Sequence, residues 1–150
     1  MKKSAILING VSLPHHVVDK SVQQAKRSKS LVKVVFIYEN LEDIPPAFPK
    51  NEEVSKADLS DANAIKKLEE VIQHNSSYVE SNLIQQEVPH EIVILKNPSI
   101  DEIAASLKDI DKIFVDHDTF LHPHEFAYVN FSYEDLEEHI ATKIQWCKHG

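Results

Sequence analysis

The sequence has 150 residues, of which 42% are hydrophobic and 27% charged, so it has the size and composition of one soluble globular domain. Its formal net charge of −8 argues against a nucleic-acid or anionic-membrane surface, because phosphate binding depends on clustered Lys and Arg. A single cysteine, no leader peptide and no long apolar run predict a cytoplasmic protein without an internal disulfide or a membrane span.

The first part of the chain predicts a strand, a helix and a second strand. "SAILIN" at residues 4–9 is a short apolar run that ends in Asn-Gly. In the next segment Val18, Val22 and Ala25 recur at the spacing of a helix. "LVKVVFIY" at residues 31–38 is β-branched and almost continuously apolar, which is typical of a parallel strand that is covered on both faces.

The middle of the chain predicts a loop and then a long helix. Residues 39–59 contain three prolines and many charges, which favour an exposed loop. A helix is predicted from Asp61 to about Gln86, because apolar side chains follow one stripe at helical spacing. The stripe consists of Ile65, Leu68, Ile72, Val79 and Leu83.

The last part of the chain predicts three strands and two helices. The strands lie at residues 90–97, 111–116 and 143–147, and the helices at residues 98–110 and 132–141. The first of these helices begins with Ser99 and Glu102 at capping-box spacing. The last strand, "KIQWC", is the shortest apolar run, and the dimer considered below depends on it.

Strands that alternate with helices predict a parallel sheet with right-handed crossovers and helices on both faces. No internal repeat or domain boundary is evident, so we expect one domain over residues 1–150. Ligands of such sheets bind beyond the carboxyl ends of the strands, where the strand order reverses. If the first strand lies at that reversal, the turn after residue 9 and the loop after residue 116 share one rim.

Glycine is scarce, since only Gly10 and Gly150 occur. Walker-type and dinucleotide-binding loops need several glycines, whose backbone N–H groups close on phosphates at positive φ. The sequence therefore excludes both types of loop. The same scarcity predicts that Ser, Asn and Pro, instead of Gly, end most of the helices.

Three segments resemble universal stress proteins of the UspA type. They are "ILINGVS" at the first strand, "AKRSKSLVKVVFIY" into the second, and "KNPSIDEIAASLKDIDKIFVD" from the third strand into the fourth. The resemblance covers nearly the whole chain. It implies an α/β fold of the adenine nucleotide alpha hydrolase-like type, with an open parallel five-stranded sheet of order 3-2-1-4-5 between about four helices. It also implies a cytoplasmic homodimer that acts in stress response or regulation and is not an enzyme.

One branch of that family binds ATP with an aspartate at the end of the first strand and a motif G-x2-G-x9-G-[S/T] after the fourth. Asn9 replaces that aspartate here, and an amide cannot supply the same charge-assisted acceptor. None of the glycines of the motif is present either. We therefore expect no ATP binding of the family type, and we interpret Asn9-Gly10 as a tight turn off the first strand. The degenerate ligand pocket would consist of Asn9, Gly10, Val11, His117, Phe120, Asn130 and Phe131.

The loop "VDHDTFLHPHE" at residues 115–125 concentrates histidines and acids. Imidazole and carboxylate groups are the usual ligands of zinc and related divalent ions. The metal hypothesis takes its ligands from this loop and from the first turn, namely His15, His16, Asp116, His117, His122 and His124. The spacing H-x4-H-x-H matches no compact zinc motif, so an ordinary exposed loop that diverged after loss of the nucleotide site is the first interpretation. Sensing of pH by neighbouring histidines is a third.

These observations favour a universal stress protein-like binding module that needs no cofactor. Its partner would be an unknown small molecule or protein, and neither a nucleic acid nor a membrane. A divalent-metal protein and an altered nucleotide binder are the alternatives. A phospho-receiver domain is excluded, because it needs an acidic pair where Asn9 stands. Cys147 is expected to be a buried or edge thiol and not a nucleophile.

Overall fold

The computed structural model describes residues 2–10, 12–38, 52–117, 133–140 and 143–147. Each strand and helix predicted from the sequence is confirmed. In chain order they are β1 (Lys3–Asn9), α1 (His15–Ser28), β2 (Leu31–Tyr38), α2 (Glu52–Gln85), β3 (His90–Lys96), α3 (Ile100–Ser106), β4 (Lys112–Asp116), α4 (Tyr133–His139) and β5 (Lys143–Cys147). None of the helices in these ranges is long and apolar enough to cross a bilayer.

The five strands form one parallel sheet of order β3-β2-β1-β4-β5, which confirms the predicted order. β1 lies in the centre, where Leu7 is flanked by Val35 of β2 and Val115 of β4. β5 pairs with β4 along its whole length, so residues 143–147 do form the fifth strand. The strand order reverses between β1 and β4, because β2 and β3 lie to one side of β1 and β4 and β5 to the other.

Each face of the sheet carries its own hydrophobic core. Successive side chains of a strand point to opposite faces, so Ile6 and Ile8 join one core while Ala5 and Leu7 join the other. The first core is covered by the apolar stripes of α1 and α2, as the helical spacing predicted. The second is covered by α3 and α4. Of the residues that the helical spacing predicted to face inward, the buried ones are Val18, Val22, Ala25, Ile72, Val79, Leu83, Ile103, Leu107, Ile110, Leu136 and Ile140.

α2 is longer than the sequence predicted. It begins at Glu52, so residues 52–59, which we expected in a loop, are helical. Proline disfavours a helix interior but not the residues just before a helix, and acids in the first turn interact well with the helix dipole. The helix continues through the polar residues 75–77, where the buried Ser76 hydroxyl donates to the carbonyl of Gln73 at 2.9 Å.

The helix ends correct a second prediction. The capping box of α3 is present, with the Glu102 N–H donating to Ser99 Oγ at 3.1 Å. The left-handed positions after α1, α2 and α3, however, are held by charged residues and not by Ser, Asn or Pro. They are Lys29, Glu87 and Asp109, with φ of 54°, 57° and 64°. A non-glycine residue in this conformation costs roughly 1–2 kcal/mol, so each helix ends on a strained residue.

Candidate functional site

The site lies at the carboxyl ends of β1 and β4, where the strand order reverses. β1 ends at Asn9, whose side chain is buried at 3% exposure. Gly10 follows at a φ of 91°, and its N–H donates to the carbonyl of Ile37 at 2.8 Å. This hydrogen bond fastens the turn to β2, and the positive φ explains why one of the two glycines stands here. The interpretation of Asn9-Gly10 as a tight turn agrees with this geometry.

α1 starts directly above this turn, with Pro14 as its N-cap. The Pro14 carbonyl accepts from the N–H groups of Val17 and Val18 at 3.0 and 3.1 Å, but its side chain offers no acceptor to the helix. His15 and His16 form the first turn. The His15 ring packs edge-on against Tyr78 of α2, with ring centroids 5.5 Å apart, and so joins the two helices of this face.

His16 reaches from α1 to the end of β4. Its Nε2 lies 3.3 Å from Oδ1 of Asp116, and the two side chains are 27% and 9% exposed. Asp116 is the last residue of β4 and points to the same face as Phe114, the face that α1 covers. The contact therefore exists because β4 lies next to β1, and it brings together one histidine and one acid of the metal hypothesis.

The rest of the predicted ligand set is not brought together by the described part of the chain. His15 faces Tyr78, and His117 follows Asp116 with a half-buried side chain. Within residues 2–10, 12–38, 52–117, 133–140 and 143–147, no group of three or more His, Cys, Asp or Glu side chains could hold a metal ion. Six of the proposed pocket and metal residues lie outside the described residues, namely Val11, Phe120, His122, His124, Asn130 and Phe131.

Cys147 is a neighbour of this site that the sequence did not place there. It lies opposite Asp116 in the β4–β5 pairing, is only 4% exposed, and belongs to the core beneath α1. Burial raises the pKa of the Cys147 thiol, and the charge of Asp116 raises it further, against the opposing effects of Lys20, Lys112 and the backbone N–H of Val115. The thiol therefore stays protonated at neutral pH, as expected of a buried thiol and not of a nucleophile.

The raised pKa of Cys147 predicts a loss of stability at alkaline pH. The unfolded thiol ionises near its ordinary value of 9.0, below the folded one. Between the two pKa values the unfolded state binds fewer protons, so the unfolding free energy falls as the pH rises through that window. Urea unfolding of the wild type and of Cys147→Ala from pH 8 to pH 10.5 measures this, and only the wild type should carry the additional decline. Equal slopes for the two proteins would contradict it.

Comparisons with known proteins were made by sequence and by structure. No family model matches the chain, and no curated protein matches it. Solved structures with the same architecture include a universal stress protein family protein from Burkholderia pseudomallei, with 11% identity over 97% of this chain and 95% of that one and a TM-score of 0.59. A universal stress protein family protein from Arabidopsis thaliana with AMP bound has 10% identity over 100% of this chain and 93% of that one, with a TM-score of 0.58.

A universal stress protein in complex with cAMP also matches, with 11% identity over 97% of this chain and 96% of that one and a TM-score of 0.54. Identities this low establish a common fold and no more. The chain has the fold of the universal stress proteins, and the fold class that the sequence predicted is confirmed.

Proposed function

We propose that this chain is a cytoplasmic, non-enzymatic binding module of the universal stress protein type, which acts in stress response or regulation and does not bind ATP in the manner of the ATP-binding branch. The observation that supports the stress-protein type most directly is the fold, which solved universal stress protein structures share over nearly the whole chain. We also propose that it is a homodimer that pairs through β5. A concentration-independent mass of 17.1 kDa in light scattering would refute the dimer.

The argument against ATP is electrostatic. Asp116 places a carboxylate at the carboxyl end of β4, the rim where ligands of this fold class bind. Two like charges 4 Å apart repel by about 4 kcal/mol at the effective dielectric constant of a protein surface. Even a protonated His16 would offset only one of the negative charges of a triphosphate. Asn9, buried at the end of β1, offers an amide where the ATP-binding branch has a carboxylate acceptor.

One alternative has specific support. Structures with this fold have been solved with AMP and with cAMP, and a monophosphate meets less repulsion from Asp116 than a triphosphate does. This favours an altered nucleotide binder as the second candidate. Metal binding stays a third candidate without such support, because the His16–Asp116 contact supplies only two donors and the described residues bring no third ligand beside them.

Thermal unfolding of the metal-free protein with each candidate ligand distinguishes these functions. A ligand at 100 times its Kd stabilises the folded state by about 2.7 kcal/mol, which for a chain of this length is a rise in Tm of roughly 5–11 °C. We expect no such rise with Mg-ATP. A rise with ATP would overturn the proposal.

The same measurement gives each alternative its own outcome. A rise with AMP or cAMP that Asp116→Asn increases would establish the altered nucleotide site, because the variant removes the repelling charge. A rise with zinc that His16→Ala abolishes would establish the metal site. Glu138→Gln, which changes an exposed acid on the other face of the sheet, is the matched control for both variants and should leave every shift unchanged.

A further inference from the structure

β3 forms one edge of the sheet, and within the described part of the chain its outer side is paired with no strand. Edge strands of soluble proteins are usually protected by Pro, by bulges, or by charges at their centre. The centre of β3 is Ile92, Val93, Ile94 and Leu95, and all four side chains are only half-buried. This edge is seven residues long and has an apolar centre, so it has the properties of a strand that accepts a partner strand.

The hydrogen bonds of β3 show which backbone groups face outward. Val32 N–H donates to the carbonyl of Pro89, and Asn97 N–H donates to the carbonyl of Tyr38. In a parallel pair, alternate residues direct both backbone groups to the same neighbour. The odd-numbered residues of β3 therefore bind β2, and Ile92 and Ile94 direct their N–H and C=O groups away from the sheet. An added strand would pair with these groups.

A cavity of about 580 Å³ lies beside the carboxyl half of this edge, between β3 and α2. Its floor is apolar and consists of Tyr38, Ile72 and Ile94. Its polar lining consists of Glu69, Glu70, Gln73 and Lys96. A strand added to β3 would lie about 4.8 Å from it, so a side chain that points to the α2 face would lie over this cavity. We call the outer edge of β3 together with this cavity the edge groove.

Acids outnumber bases around the edge groove. Glu69 and Glu70 line the cavity together with Lys96, so its described lining carries two acids and one base. An Arg or Lys side chain suits this site, because its aliphatic part can cover Ile72 and Ile94 while its charged group reaches the carboxylates. The net charge of −8 adds attraction for a basic segment.

We infer that the edge groove binds an extended segment of a partner protein, which adds a strand to β3 and inserts an Arg or Lys side chain into the cavity beside Glu69 and Glu70. Main-chain hydrogen bonds to Ile92 and Ile94 hold the segment, and the cavity selects its basic residue. In the sheet, β2 lies between β3 and the site at the ends of β1 and β4. The edge groove is therefore a separate site, and this inference does not depend on the function proposed for the other one.

Fluorescence polarisation with two peptide panels tests this inference. The peptides have about eight residues, long enough to pair with the whole edge, and alternate Val and Thr. One panel carries a single Arg at each inner position in turn, and the other carries Glu there. We expect the best Arg peptide to bind at least about tenfold more tightly than its Glu counterpart, as an ion pair worth about 1.4 kcal/mol requires.

Two variants locate the binding. Glu70→Lys should reverse the preference to the Glu panel, because it reverses the charge of an exposed cavity residue without touching the core. Ile92→Pro should weaken all peptides, because it removes an outward N–H outside the cavity lining. Glu138→Lys adds the same charge on the far face of the sheet and should leave the Arg preference unchanged. If Ile92→Pro does not fold, the charge reversal decides alone.

Three results would overturn the inference. The first is that no peptide binds with a Kd below about 1 mM. The second is binding that persists with the same preference in Glu70→Lys. The third is a dimer mass in light scattering that Ile92→Pro converts to a monomer, since this would assign the edge of β3 to a second copy of the chain.

Discussion

Replacing Phe36 by Ala is expected to lower the free energy of unfolding by about 3–5 kcal/mol. Phe36 is fully buried in β2, where its backbone neighbours are Ile8 of β1 and Ile94 of β3. Its ring belongs to the core beneath α1 and α2. Truncation leaves a cavity between the sheet and both helices, and a rigid parallel sheet can close such a cavity only in part.

Urea unfolding followed by circular dichroism measures this loss. Ile84→Ala is the control, because Ile84 is a large apolar residue of α2 with 60% of its surface exposed, and its truncation should change the stability by less than about 0.5 kcal/mol. The loss for Phe36→Ala is a large part of the 5–15 kcal/mol that stabilises a typical domain. A loss below about 1.5 kcal/mol would show that this core is not packed as described.

Glycine at the three strained helix ends should have the opposite effect. We expect the combined variant Lys29→Gly, Glu87→Gly and Asp109→Gly to raise the free energy of unfolding by about 2–3 kcal/mol, because glycine adopts positive φ without the clash of a Cβ atom. Glu87 and Asp109 also place negative charge near the negative ends of helices, so their removal should contribute more than that of Lys29.

Single variants separate these contributions. Gln23→Gly is the matched control, since this exposed residue lies in the interior of α1, and glycine there should lower the stability by about 0.5–1 kcal/mol. A combined variant no more stable than the wild type in the same urea titrations would show that these three positions carry no strain. A larger gain in the free energy of unfolding for Glu87→Gly than for Lys29→Gly would separate the effect of the helix dipole from that of the backbone.

The periodic features of the sequence were sufficient to predict the architecture. Continuous apolar runs gave β1 and β2, and the stripe through Ile72, Val79 and Leu83 gave the buried face of α2. The start of α2 was missed because prolines and charges in residues 39–59 resemble a loop, although neither forbids a helix that begins after the last proline. The charged residues at positive φ after the helices could not be predicted, because their side chains do not favour that conformation. Local hydrogen bonds hold two of them there: Ser30 N–H donates to the carbonyl of Ala25 around Lys29, and Val88 N–H donates to that of Leu83 around Glu87.

The site was predictable only where it depends on strand order. The order 3-2-1-4-5 places the first turn of α1 next to the end of β4, and the His16–Asp116 contact follows from that order. The position of Cys147 beside Asp116 depends instead on the register of β5 against β4. Register is set by packing over the whole sheet, so a short segment such as "KIQWC" does not reveal it. Phe120, Asn130 and Phe131 stay predictions.

The central place of β1 affects how the chain folds as it is made. β1 is synthesised first, yet one of its two neighbours, β4, begins only at Lys112. At about 5–20 residues per second, roughly 4–15 s pass between the completion of β2 and the arrival of β4. During that time one apolar face of β1 and β2 lacks its complete cover and is exposed to solvent. This face, which α3 and α4 cover in the folded protein, consists of Ala5, Leu7, Val35 and Ile37. We therefore expect chaperones that bind apolar strands to recognise the nascent chain, and translation speed through residues 39–111 to set how long they can act.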